Sequence, residues 1–310
     1  MTQFLSVKTL FRNILKYDLR AELYAINKDL LYLKIVSYFS NNTVKQFEEE
    51  LNFLISQGKP YDFPYRQLKT LGSIVSGIDL LTRLPFVVHN TKKLFFPKSW
   101  DLQKSISTYR NLIEGENILG GNFSEKAPHQ YQTSKYCVKK DDVVLELGAA
   151  EGLFSLDVID LASQVYVFEP SKKWSKALRM TFKPYSSKVK LIQKYVSNRD
   201  TSTEIKLSTS IDFTNVKSLF VKMDIEGFEK SVLEDNRELF SKNIDITVSC
   251  CTYHRDTDAD DFKRYFESLG YETEFSDGYV IFSTDPDLKP PYFRKGLIRA
   301  RKQKSKCTTI

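Results

Sequence analysis

The stretch Val143-Val144-Leu145-Glu146-Leu147-Gly148-Ala149-Ala150-Glu151-Gly152-Leu153-Phe154 decides how the rest is read. Five largely apolar residues predict a buried strand, and Leu153 onward reads as a helix. Gly148 stands where the chain must turn sharply out of the strand. Gly152 opens the helix, where a side chain would obstruct either a ligand or helix–strand packing. The pattern is E-x-G-x-x-x-G rather than the G-x-G-x-x-G whose middle glycine admits a pyrophosphate. Position 150 is alanine, so a ligand without phosphates is favoured, and S-adenosylmethionine is one. Glu146 could help neutralise the amine of such a ligand, directly or through water. By itself the pattern also fits an ordinary strand–turn–helix corner.

Outward from this corner, strands and helices alternate. Val165 to Phe168 is a second strand, followed by a helix around Ser175 to Phe182. Val189 to Tyr195, Leu219 to Met223 and Ile244 to Ser249 are further strands. Alternation of this kind means crossover connections and a parallel sheet covered on both faces. A helix from about Asp258 to Leu269 ends at Gly270. Tyr271 to Phe275, the turn Ser276-Asp277-Gly278, and Tyr279 to Phe282 then read as an antiparallel hairpin. A doubly wound sheet closed by a hairpin is the arrangement expected of Rossmann-like methyltransferases. The second strand ends at Glu169, 23 residues after Glu146, and Pro170 follows. A carboxylate there can accept both hydroxyls of a ribose, or it is a surface acid before a turn. Val196 and Ser197, beyond the third strand, are where an adenine would lie.

The fourth strand runs into Lys222-Met223-Asp224-Ile225-Glu226-Gly227-Phe228-Glu229. Ligands of open α/β sheets bind at that sheet edge. Asp224 and Glu226 would face one side of an extended chain, and once a helix begins Glu226 and Glu229 would share a face. Favourable charge at a helix start is the structural alternative for the two glutamates. This segment, with Ser231-Val232-Leu233 after it, resembles the K-x-D-x-E-G-x-E signature of the FkbM-type S-adenosylmethionine-dependent methyltransferases. LELGAAEG and VYVFEP resemble that family's first and second motifs. Glu146 stands where the family usually has Asp, and Ala150 where Asn is common. The resemblance covers about Val143 to Ser283. It implies a class I methyltransferase sheet of seven strands, mostly parallel, with a terminal antiparallel hairpin. It also implies methyl transfer from S-adenosylmethionine, usually to oxygen, on sugars, glycolipids or natural products, as in polysaccharide biosynthesis. Glu146, Gly148, Ala149, Gly152, Glu169, Pro170, Val196, Ser197 and Asp224 are the expected cofactor-binding residues.

A hydroxyl acceptor needs its proton removed, and His254, Asp224 and Glu226 are the candidate catalytic residues. His254 follows the fifth strand at the same sheet edge and titrates near neutrality, though a hydrogen-bonded loop histidine fits the sequence as well. His89 and His129, the other two histidines, read as structural or unassigned. Asp224, Glu226 and His254 carry donors of the kind that suit Mg²⁺, but their spacing defines no ligand set, and no metal is expected.

In the 310-residue chain, residues 1–136 read as a mainly helical N-terminal extension. Leu10, Phe11, Ile14, Leu15, Leu23, Ile26, Leu30 and Leu33 recur at helical spacing, and a second helix, capped by Thr43, stops at Gly58. Residues 137–285 form the sheet domain and 286–310 a basic tail. Net charge is +7, and from Lys289 on there are eight basic residues and no acids, so the body is near neutral. A nucleic-acid partner is therefore not expected. The tail is either a solvated end or a contact for an anionic membrane surface or acidic partner. No apolar run is long enough to span a membrane and no signal peptide is read, so the expected location is cytoplasmic. Four cysteines without C-x-x-C spacing argue against a zinc or disulfide framework. The competing readings are a nicotinamide-dependent oxidoreductase, which the missing middle glycine disfavours, and a non-catalytic assembly partner.

Overall fold

The computed structural model describes residues 27–42 and 44–304. They form two compact units, one of the described residues up to 65 with 279–293 and one of 66–278 with 294–304. Among the described residues no helix is long and apolar enough to cross a membrane.

The smaller unit holds a helix over residues 27–41 (α1) and a second at Glu48–Gln57 (α2). Gly58 ends α2 in the left-handed conformation with φ 65°, as its position in the sequence predicts. Its core is Ile35, Phe39, Phe47, Leu54, Ile281, Tyr292 and Phe293. The apolar stripe of α1 is thus Ile35 and Phe39, whereas Leu30 and Leu33 are 49% and 60% exposed. The expected helical positions from Leu10 to Ile26, and the cap at Thr43, lie outside the described residues.

The larger unit starts with a three-stranded antiparallel sheet of Ser76–Ile78 (β1), Pro85–His89 (β2) and Lys92–Phe95 (β3), followed by a helix at Leu102–Arg110 (α3). The expectation of a mainly helical extension to residue 136 is corrected here. The alternation in Pro85–His89 buries every second residue, a two-residue period too short to stand out beside Pro64 and Pro85. His89 is structural: its Nε2 lies 3.0 Å from Asp157 and its Nδ1 2.9 Å from the Tyr109 hydroxyl.

The main sheet comprises Val143–Leu147 (β4), Gln164–Phe168 (β5), Val189–Ile192 (β6), Ser218–Met223 (β7), Asp245–Cys251 (β8), Glu272–Phe275 (β9) and Leu297–Lys302 (β10). Their order is β9-β10-β8-β7-β4-β5-β6. The β8–β7–β4–β5–β6 run is parallel, and β10 is antiparallel to both neighbours. Helices Leu153–Val158 (α4), Ser175–Phe182 (α5), Glu229–Asp235 (α6) and Asp258–Ser268 (α7) follow β4, β5, β7 and β8. Leu145, Leu147, Val221, Met223, Val248 and Phe266 fill one face, and on the other Phe154 of α4 stacks on Phe220 at 5.6 Å. Burial on both faces explains why these strands read as continuous apolar runs.

Two expectations are corrected at the C-terminal edge. The antiparallel element exists, but its second strand is Leu297–Lys302, not 279–282, which belongs to the smaller unit. Residues 297–302 of the expected 286–310 tail are accordingly part of the sheet. Within β10 Leu297, Ile298 and Ala300 are buried, and so is Arg299, whose guanidinium donates to the Gln130 carbonyl. Buried basic residues in a central strand mimic a solvated charge run in sequence. The third strand also stops at Ile192, and Tyr195–Val196 pairs separately with Glu204–Ile205.

The two motif glycines have different duties. A Cβ on Gly148 (φ +77°) would sit 1.8 Å from the Asp224 carbonyl oxygen, whereas one on Gly152 (φ +82°) would meet Leu178 and Phe182 of α5 at 2.9 Å. Gly148→Ala is expected to cost upwards of about 2 kcal/mol by urea unfolding and to displace the Asp224 loop. Gly152→Ala, blocked only by side chains, is expected to cost about 1–3 kcal/mol.

Candidate functional site

A cavity of about 760 Å³ opens at the carboxyl ends of β4, β5 and β7, the edge where ligands of open α/β sheets bind. Of the predicted residues, Glu146, Gly148, Ala149, Glu169, Pro170, Val196, Ser197, Asp224 and Glu226 line it; Gly152 and His254 do not. Gly152 acts in packing, and His254 stands behind Asp224.

The loop after β4 is built by backbone contacts. The Gly148 amide donates to the Phe168 carbonyl at 3.0 Å, and the Asp224 amide to the Leu147 carbonyl at 3.0 Å. Ala150 is left-handed with φ 46°, a conformation that Asn tolerates better than Ala. This is a physical reason for the Asn common at that place in the family the motif resembles. The Glu169 carboxylate accepts from the amides of Ala150 and Ser171, each at 2.8 Å. It is thereby fixed at the cavity wall with lone pairs to spare, since each carboxylate oxygen accepts two hydrogen bonds.

Behind this loop lie buried charges. Glu146 is fully enclosed, accepts a hydrogen bond from the Ser155 hydroxyl, and lies 3.9 Å from Lys222 Nζ. Burial pushes its carboxyl up to about 7 against the opposing pull of Lys222. Glu151 is likewise raised to about 7, by burial and then by Glu146. Lys222 donates to the Gly148 carbonyl and lies 5.0 Å above the Tyr131 ring.

Asp224 is the hub. Tyr131 donates to its Oδ2 at 2.9 Å, His129 Nε2 is 2.8 Å from the Tyr131 oxygen, and Glu116 lies 2.9 Å from His129 Nδ1. On the other side His254 Nε2 is 3.6 Å from Asp224 Oδ1, while its Nδ1 is 3.1 Å from the fully buried Glu229. Burial would raise the Asp224 carboxyl. The hydrogen bond from His129 and the charges of Lys222, His129 and His254 more than reverse this and hold it well below the usual carboxylate range. Burial works against charging His129, but Asp224 and Glu116 prevail and raise it to about 9. Glu229, Asp224 and Glu226 raise His254 in the same way. Near neutrality His129 is thus a cation, and His254 stands behind Asp224 without lining the cavity.

Asp224 and Glu226 converge on His254 Nε2, at 3.6 and 3.7 Å, but Glu226 does not sit on an extended run. Its φ of 58° breaks the extended run, and its side chain is 82% exposed at the cavity mouth. Helix α6 starts only at Glu229, whose Oε1 caps the Ile225 amide at 2.8 Å. Two sets of donors, His129–Asp224–Cys251 and Asp224–Glu229–His254, each gather within 4.8 Å.

Sequence reasoning missed Glu116, His129 and Tyr131, all of which line the cavity. They come from an irregular connection after α3 with no strand or helix period to mark it. The usable signal was His129 and Tyr131 as a spaced polar pair ahead of the first strand.

No family model and no curated protein matches the chain. Among solved structures it is similar to the methyltransferase FkbM from Methylobacillus flagellatus, with 20% identity over 56% of this chain and 47% of that one, TM-score 0.43. It thus spans about half the length of that protein. It is also similar to a putative methyltransferase from Streptococcus mutans in complex with SAH (12% identity, 55% of this chain and 92% of that one, TM-score 0.36). An rRNA methylase from Streptococcus thermophilus matches at 9% identity over 54% of this chain and 90% of that one, TM-score 0.36.

The sign of the His129 shift sets a pH window. An unfolded imidazole loses its proton near 6.5, the folded one near 9. Its contribution to stability is complete below about 6.5 and vanishes as pH rises through about 9. The stability advantage of wild type over His129→Gln in urea unfolding is therefore expected to shrink steadily from pH 6.5 to 9.

Proposed function

We propose that this chain is an S-adenosylmethionine-dependent methyltransferase acting on a hydroxyl of an uncharged, sugar-type acceptor. The observation that carries the reading is the Glu169 carboxylate, fixed by two amides at the end of β5 beside the Gly148 turn. A carboxylate so placed accepts the paired hydroxyls of a ribose. Val196 and Ser197 line the same cavity, offering an apolar and amide surface for adenine. Glu146 and Lys222 at the base supply an anion and a cation for an amino-acid head group.

S-adenosylmethionine, when bound, supplies a methyl group already activated by its sulfonium. The chain's own residues have mainly to align the acceptor, which is worth roughly 7–11 kcal/mol when complete. Asp224, ionised and partly open to the cavity, would accept a hydrogen bond from the acceptor hydroxyl and orient its oxygen; as the oxygen–methyl bond forms and the sulfur–methyl bond breaks, the hydroxyl proton would pass along that hydrogen bond and leave through the cavity mouth to solvent. Glu226 at the mouth accepts from a neighbouring hydroxyl. His254 and Glu229 hold Asp224 from behind, so His254 is a positioning residue rather than the base. The cavity presents eight carboxyl groups, two of them raised to about 7, against two lysines and the His129 imidazolium, a net negative lining that disfavours a polyanion such as RNA as acceptor.

Calorimetry with S-adenosylhomocysteine tests the cofactor. Wild type is expected to bind, and Glu169→Ala to lose roughly tenfold or more in affinity; a folded wild type that does not bind overturns the reading. His254→Ala should keep its affinity and lose turnover. Because the ligand amine favours ionised Glu146, raised to about 7, binding should release protons below pH 7 and tighten from pH 6 to 8. Heats measured in buffers of different ionisation enthalpy check this. Methyl transfer to RNA but not to saccharides would replace the acceptor.

A further inference from the structure

The turn between β1 and β2 carries two leucines on its outside. Leu80 is 84% exposed and Leu81 94%. Turn apices ordinarily hold Gly, Asn, Asp or Ser, and an outward pair of leucines is unfavourable in water.

The turn is not a loose loop. The Asp79 amide donates to the Leu84 carbonyl, and the Arg83 amide to the Asp79 carbonyl, both at 2.9 Å. Asp79 Oδ1 accepts from the Thr82 amide at 2.8 Å and the Thr82 hydroxyl at 2.7 Å. Beneath it, Leu84 and Phe86 pack with Ala177 and Met180 of α5. Two leucines are thus presented on a rigid apex anchored to the sheet domain.

Cations run along the helix that touches this turn. Lys176 of α5 reaches to 3.5 Å from the Thr82 carbonyl. Arg179 and Lys183 follow three and seven residues later on the same helical face, and all three line one surface groove. Arg83 lies in the turn itself. Asp79, within the turn, spends its carboxylate on Thr82.

We propose that the Leu80–Leu81 apex and the Lys176–Arg179–Lys183 stripe dock this chain on an anionic lipid bilayer. The leucines enter the interface and the cations contact lipid phosphates. A protruding apex favours this occupant over a folded protein, because a deformable bilayer needs no complementary pocket. Basic residues beside an apolar insertion are the charge pattern an anionic leaflet attracts, each contributing severalfold in partitioning. The contact differs from the basic-tail anchor expected from sequence, where Arg299 is buried in β10 and donates to the Gln130 carbonyl.

The test is sedimentation of the full chain with vesicles of 70% POPC and 30% POPG, and with pure POPC. Wild type is expected to partition onto the anionic vesicles at least about tenfold better than onto POPC, and to weaken as salt is raised. L80S/L81S should lose roughly tenfold or more, and K176E/R179E a similar factor, both keeping wild-type circular dichroism and S-adenosylhomocysteine affinity. No wild-type binding, or binding that survives L80S/L81S, overturns the proposal. So does a wild-type dimer, seen without lipid by analytical ultracentrifugation, that L80S/L81S converts to monomer. None of these outcomes depends on the methyl-transfer reading, which the calorimetry tests separately.

Discussion

Two loops of neighbouring parallel strands meet at one point, where Gly148 lies against the main-chain carbonyl of Asp224. The separation leaves no room for a single methyl group. This contact makes the cavity one site rather than two adjacent loops. It sets the height at which the β4 chain turns, brings Ala150 to the Glu169 carboxylate, and places the Asp224 side chain at the same rim. The strand register supports it, with Leu147 opposite both Phe168 and Met223, so three strands end level.

On this backbone frame rests an electrostatic one. A carboxylate buried at Asp224 would neutralise itself if it stood alone. Two imidazoles and Lys222 favour its charged form, and Glu116, Glu229 and Glu146 in turn favour the charged forms of those groups. Such networks are costly if broken, because removing one member leaves the others buried and uncompensated. The arrangement supplies a fixed anion facing the cavity, whose orientation is set from both sides before any ligand arrives.

What could be read from the sequence follows the range of the interactions. Gly148, Glu169 and Asp224 each stand at a strand end, and strands announce themselves through short apolar runs. Their convergence then follows from the rules of parallel sheets. His129 and Tyr131 reach Asp224 across 93 residues or more from irregular chain, and no local period records that. The seventh strand was hidden for another reason. Arg299, Arg301 and Lys302 occupy β10 among buried apolar residues, and Arg299 satisfies its charge internally, so a charge count took a central strand for a tail. His254 was placed at the correct edge, yet its proton occupancy depends on Glu229 and Asp224, which only the folded geometry brings to both ring nitrogens.

The sheet order carries a consequence for how the chain reaches its native form. Strand β9 precedes β10 in sequence, yet β10 lies between β9 and β8. When a ribosome has delivered residues up to Phe275, β8 has an open flank, and β9 has no neighbour to bond with until a passage through residues 279–293 is complete. Nascent chains therefore expose an unpaired edge of apolar residues, Ile246, Val248 and Cys250 among them. Late strand insertion means that this flank closes only after residues 297–302 are available, while β4 to β7 are free to assemble earlier.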